Sequence, residues 1–247
     1  MSSIVHIPLT KEEILPALEK ALQQNFIDNL RNRHPNVALD SKLRGYVGEL
    51  AFKKWAKFHE IEFKQSNIKD HSSGMDIDFV FETSFKKVDI ELKTSLIPDV
   101  DQDLQEMLRR RDIKLIRRQE KTIEQLDADL HVQLVFKQLR MRKDDWLKKQ
   151  VIDLPSLSGT NTAELVEELE DRKINLEKVY KQLAAYRYKT DTFLMGWIDK
   201  PSLVKQIHEK PQHLQKWKYG MREFWCCNLR DDAKKPLTLI EYLKTNP

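Results

Sequence analysis

Acidic residues and a lysine recur at intervals of two between residues 76 and 93. In DIDFVF (76–81) the alternation of an extended strand puts Ile77, Phe79 and Phe81 on one face and Asp76 and Asp78 on the other. KVDIELKT (87–94) repeats the arrangement: Val88, Ile90 and Leu92 share a face, and Asp89, Glu91 and Lys93 share the opposite one. The few residues between the two runs suit a hairpin, and pairing them gathers the carboxylates and Lys93 on a single surface. Such a surface repels itself unless a cation sits in it. Hard oxygen donors suit Mg²⁺, with Mn²⁺ as its substitute, and Mg²⁺ keeps several waters and binds phosphate oxygens. Lys93 can orient or help deprotonate an attacking water and neutralise charge on a phosphoryl group, while the metal activates water and stabilises the leaving oxygen. The chemistry implied is phosphodiester hydrolysis.

The elements that must hold this surface can be read from periodicity. Residues 10–30 carry Ile14, Leu18, Ala21, Leu22 and Phe26 at helical spacing, and Thr10 with Glu13 has the form of a capping box, although Pro16 blurs the start. Asp40 or Ser41 can cap a second helix running to about Phe58, with Leu43, Tyr46, Val47, Leu50 and Ala51 as its apolar stripe. Glu49 lies off the centre of that stripe, between Gly45 and Gly48 on one side and Leu50 on the other. Short strands are predicted at 61–64, 76–82 and 87–94, the last two forming a small antiparallel sheet. The pattern from about 100 to 128 is helical and strongly charged, and HVQLVFKQL (131–139) reads as another strand. DLPSLSGTNT (153–162) is linker-like and precedes a long polar helix to about Tyr188, so a helical insertion over 153–190 is expected. TFLMGWID (192–199) and REFWCCNL (222–229) are late strands, and PLTLIEYL (236–243) is a short helix or strand.

Glu49 on a helix, then GMDID with Asp76 two residues after Gly74, then IELK with Glu91, Leu92 and Lys93, together resemble the PD-(D/E)XK nuclease superfamily over residues 41–95. The resemblance implies an α/β fold with a restriction-endonuclease-like core, a mixed central β-sheet flanked by helices. It makes Asp76 the first metal ligand, Glu91 the second, the Leu92 backbone carbonyl a third, Lys93 the catalytic lysine and Glu49 the helix glutamate that completes the site. The chain departs from the family pattern in having no proline before Asp76. Asp78 shares the parity of Asp76 and is the reserve ligand; Asp76 is preferred for its spacing from Gly74. Restriction-type cleavage of duplex DNA with Mg²⁺ is the implied activity. A branched-DNA or repair nuclease, or a non-catalytic DNA- or protein-binding module on the same fold, are the alternatives. Symmetric cleavage of a duplex requires two sites, so a homodimer is expected.

Supporting surfaces can be sought among the basic residues. On a helix, Arg110, Lys114, Arg117, Arg118 and Lys121 would fall on one cationic face able to contact phosphates, against the plainer reading of a solvated face. Two further basic clusters surround Trp146 and Trp217. Lysine and arginine number 43 against 39 aspartates and glutamates, a net charge of +4 that does not by itself mark a nucleic-acid binder. The two cysteines, Cys226 and Cys227, are adjacent and make neither a disulfide framework nor a zinc set, so they read as strand residues. No phosphate-cradling GxxxxGK[ST] loop occurs, which argues against an NTP-driven motor. With 33% charged residues and no long apolar run, a single soluble domain over 1–247, cytoplasmic and without a membrane segment, is expected.

Overall fold

The computed structural model describes residues 4–27, 35–66, 77–96, 104–110, 112–117, 123–136, 191–209 and 224–245. The chain opens with strand β1 (Val5–Pro8), which leads into helix α1 (Lys11–Ile27). At its start the Thr10 N–H donates to Glu13 Oε2 at 2.7 Å and the Glu13 N–H donates to Thr10 Oγ1 at 3.3 Å, the reciprocal capping box expected from the sequence. Lys54 ties this turn down by donating to both Glu13 Oε2 and the Pro8 carbonyl at 2.9 Å.

Helix α2 spans Pro35–Phe58 and begins earlier than Asp40 or Ser41. There follow β2 (Lys64–Gln65), β3 (Phe79–Glu82), β4 (Lys87–Leu96), helix α3 (Leu104–Arg110), β5 (Asp112–Arg117), a 3-10 turn (Ile123–Gln125) and β6 (Leu130–Phe136). The later elements are β7 (Asp191–Asp199), α4 (Lys200–Glu209), β8 (Phe224–Asn228) and α5 (Thr238–Thr245). The architecture is therefore α/β, and its main sheet is mixed, with six strands in the order β1-β7-β6-β4-β3-β2. Only β4 and β6 run parallel; every other neighbouring pair is antiparallel. The β3–β4 hairpin is thus part of a larger mixed sheet rather than of a small antiparallel one.

Alternation assigns the two faces of this sheet. Phe79 and Phe81 of β3, Val88, Ile90 and Leu92 of β4 and Leu130, Val132, Leu134 and Phe136 of β6 pack against α1, α2 and α5. At the centre of this layer Phe52 lies between Trp55, Phe63 and Phe79, with ring centroids 5.2–5.5 Å away. The opposite face, including Val135, Met195 and Ile198, packs against Met107 of α3, Leu203 and Ile207 of α4 and Cys227 of β8.

The expected cationic helix is also corrected. Among the described residues, the run 109–121 is not one helix: α3 ends at Arg110, and Asp112–Arg117 is a strand paired antiparallel with β8, with a register shift between Lys114 and Ile116. Of the five basic residues expected on one helix face, Arg110 ends a helix while Lys114 and Arg117 stand on a strand. Cross-strand pairing with Phe224–Asn228 supplies the non-local hydrogen bonds that outweigh local helical spacing. Arg118 and Lys121 lie outside the described residues, as do the basic cluster around Trp146, nearly all of the cluster around Trp217 and the predicted insertion at 153–190. Among the described residues, no helix is long and apolar enough to cross a membrane.

Candidate active site

Strand β4 is central, hydrogen-bonded to β3 on one side and β6 on the other, and its Val88, Ile90 and Leu92 face the helix layer. Its Glu91 side chain is only 6% exposed and that of Lys93 is 24% exposed. The two are in direct contact, with Lys93 Nζ donating to Glu91 Oε1. Strand parity brings them together as the spacing demands, two residues apart on the same face.

Asp78 joins them from the other arm of the hairpin. It immediately precedes β3; its N–H donates to the Ile90 carbonyl at 3.0 Å and its carbonyl accepts from the Ser66 N–H at 3.1 Å. Its carboxylate Oδ2 accepts a hydrogen bond from the Leu92 N–H at 2.7 Å. The carboxylate is therefore anchored to the peptide between Glu91 and Lys93. In an extended strand the N–H and C=O of one residue point to the same side, so the Leu92 carbonyl also faces the Asp78 arm. Asp76 lies outside the described residues, as does Gly74.

Glu49 approaches from elsewhere. The α2 helix packs so tightly on β4 that a Cβ at Gly48 would stand 2.5 Å from Thr94 Cγ2, and Thr94 has the parity of Leu92, opposite to Glu91 and Lys93. Glu49, 8% exposed, thus rises from a helix on the other face of the sheet. One turn on, Lys53 Nζ lies 5.7 Å from the centre of the Phe79 ring, so this side of α2 faces the start of β3, next to Asp78. Glu49 therefore belongs to the helix layer, on the face of β4 opposite Glu91 and Lys93.

Two site residues were not anticipated from the sequence. β6 runs parallel to β4 with Glu91 opposite His131 and Lys93 opposite Gln133. His131 is fully buried, with Nδ1 3.0 Å from Glu91 Oε2, within reach but not aligned for a hydrogen bond. Neither ring nitrogen has an aligned partner, at a cost of about 1–3 kcal/mol for each unsatisfied buried polar group. Burial, followed by the charges of Lys93 and Lys200, pushes the His131 pKa down to about 3, so the imidazole is neutral near pH 7. Lys93, and not His131, is then the counter-charge to Glu91. Gln133 Nε2 donates to the Lys93 carbonyl at 2.9 Å and to the Leu134 carbonyl at 2.8 Å. It does so where the β6–β7 register shifts, between Gln133 opposite Gly196 and Leu134 opposite Leu194, and such irregularities are common beside active sites. The available signal was the presence of two polar residues, with period two, in an otherwise apolar LHVQLVF.

The donor set that this geometry offers a cation is all oxygen: the Glu91 and Asp78 carboxylates and the Leu92 carbonyl between them. That set fits a hard divalent ion, which needs only one or two protein carboxylates. Among the described residues no group of three or more His, Cys, Asp or Glu side chains is arranged to hold a metal. Comparison of the chain with protein-family models, curated proteins and solved structures gives no match.

Proposed function

We propose that the chain is a Mg²⁺-dependent DNA endonuclease with a restriction-endonuclease-like core, hydrolysing phosphodiester bonds at the Asp78–Glu91–Lys93 site. The observation that carries this reading is the buried contact of Glu91 with Lys93, with the Asp78 carboxylate bound to the Leu92 N–H between them. Glu91, the Leu92 carbonyl and the aspartates leading into β3 would hold the ion: Asp76, and Asp78, whose carboxylate accepts from the Leu92 N–H. When bound, Mg²⁺ or Mn²⁺ supplies Lewis-acid stabilisation of the attacking and leaving oxygens.

The chain's own residues account for the rest of the chemistry. Lys93 is the more exposed member of the pair, and its flexible ammonium can turn from Glu91 to a phosphate oxygen or an attacking water. Exclusion of water around Glu91 strengthens every charge interaction made there. Glu49, from α2, would add a carboxylate able to accept a proton from or orient a water. Cleavage of both strands of a duplex by one site per chain is served by a homodimer.

The test is incubation of supercoiled plasmid with the purified chain in Mg²⁺, Mn²⁺ or EDTA, beside folded Glu91→Ala and Lys93→Ala variants. Metal-dependent cutting that is lost in both variants is the expected result. Discrete fragments mark restriction-type cleavage, and preference for a four-way junction over plain duplex marks a branched-DNA nuclease. Cutting that persists in Glu91→Ala, or no cutting of duplex, junction or single-stranded DNA with either metal, refutes the assignment.

A further inference from the structure

The β6 strand is buried along its whole length, with all seven residues from Leu130 to Phe136 enclosed. A strand covered on both faces is normally apolar throughout. Here Leu130, Val132, Leu134 and Phe136 obey that rule on one face, and Val135 obeys it on the other. The exceptions are His131 and Gln133, and they are the residues in register with Glu91 and Lys93. Where β4 carries uncharged Ser95 instead, its β6 partner is Val135. Polarity in β6 therefore appears opposite the acid–lysine pair and stops beyond it.

The two polar side chains divide their work. Gln133 is already committed, its amide donating to the Lys93 carbonyl and fixing the backbone from which the lysine springs. His131 is not: its Nδ1 lies 3.0 Å from Glu91 Oε2 without an aligned bond, and its ring is fully enclosed. A small turn of the Glu91 carboxylate completes that bond. Lys93 donates to the other oxygen of Glu91, Oε1. Site hydrogen bonds that are poorly aligned in a free enzyme tighten when the site is loaded.

We propose that His131 is the positioning residue for Glu91: once Lys93 turns away, His131 Nδ1–H donates to Glu91 Oε2 and directs Oε1 towards the cation. This inference rests on the metal-site reading above. Removing such an outer partner of a metal-binding carboxylate typically lowers metal affinity by about 10- to 100-fold.

The experiment measures Mn²⁺ binding, by calorimetry and by the electron paramagnetic resonance of free Mn²⁺, for the wild-type chain and for Glu91→Ala, His131→Leu, His131→Phe and His131→Asn. Circular dichroism establishes that each variant is folded. The expected result is loss of binding in Glu91→Ala and a fall of about 10- to 100-fold in His131→Leu and His131→Phe. His131→Asn, whose side-chain N–H stands near the position of Nδ1–H, keeps affinity within about threefold, a rescue that a purely structural role would not give. Should His131→Leu fail to fold, His131→Phe, which keeps a ring in the slot, and His131→Asn still decide the outcome. Mn²⁺ binding that depends on Glu91 but is unchanged in His131→Leu or His131→Phe, or as weak in folded His131→Asn as in those variants, overturns the role of His131 and leaves the metal site standing. Absence of Glu91-dependent Mn²⁺ binding in the wild-type chain overturns the metal site itself, and this inference with it.

Discussion

The hydrogen bond from the Leu92 N–H to Asp78 Oδ2 makes a separable prediction about structure and about metal binding. Replacing Asp78 by alanine removes the acceptor and leaves the Leu92 N–H, on a central strand, without that partner. Hydrogen bonds to charged groups contribute about 1.5–3 kcal/mol. Asp78 is partly exposed, so the lower half of that range applies and the Asp78→Ala chain should lose about 2 kcal/mol. Asp78→Asn keeps an oxygen in place but removes its charge, and should lose about 1 kcal/mol, the difference between a charged and a neutral acceptor. Mn²⁺ affinity should behave differently. Both variants lose a ligand charge and should bind at least about tenfold more weakly, equivalent to about 1.4 kcal/mol.

Urea denaturation gives the first quantity and calorimetry the second. Two results refute the reasoning, each in its own way. If Asp78→Ala is as stable as the wild-type chain, the bond to Leu92 does not support the hairpin. If Asp78→Asn binds Mn²⁺ like the wild type while Asp76→Asn does not bind it, the first ligand is Asp76 and Asp78 serves only to anchor the Leu92 peptide.

Other consequences can be checked on the folded chain alone. Truncating Phe52, fully buried among three aromatic rings, to alanine should cost about 3–5 kcal/mol by urea denaturation, and a loss below 1 kcal/mol would mean that this layer is not packed as described. Thr10→Ala should cost about 0.5–2 kcal/mol through the lost cap of α1, read in the same assay. Asp199 caps α4 by accepting from the Ser202 N–H and hydroxyl at 2.8 Å, and it also pairs with Lys234. Burial would raise its pKa, but the bonds from Lys234 and Ser202 outweigh burial and hold it below the usual aspartate value. Its contribution to stability is therefore complete above the unfolded pKa of about 3.9 and is lost as pH falls through the lower folded value. The stability difference between the wild-type chain and Asp199→Asn should shrink below about pH 4, and a difference that stays constant down to acid unfolding would contradict this pairing.

The parts of the site that were legible in the sequence are those governed by a single strand or a single turn. Period two alone put Phe79 and Phe81 inward, paired Glu91 with Lys93 and set Asp78 on their side, because the parity of an extended chain is local geometry. Thr10 and Glu13 were legible for the same reason, since a capping box closes within one turn. The four-residue edge strand β1 and helix α4 escaped notice; VHIP is too short to show a period, and KPSLVKQIHE follows a strand with no linker between them. The cationic helix failed because Asp112–Arg117 takes its conformation from β8, more than a hundred residues later in the chain.

The deeper part of the site was hidden for a related reason. Which β6 residue stands beside Glu91 depends on the parallel register of two strands joined by a long crossover, and no local pattern in either strand encodes that register. A shift of that register by one residue would have put an apolar side chain against Glu91, leaving a buried carboxylate with Lys93 as its polar neighbour on that side. His131 and Gln133 are unfavourable residues for a strand enclosed on both faces, and burial without aligned bonds makes His131 more so. A cost of that kind at the one place where the neighbouring strand carries an acid and a lysine is what the proposed site would demand of its supporting layer, and an apolar pair there would have served the fold alone better.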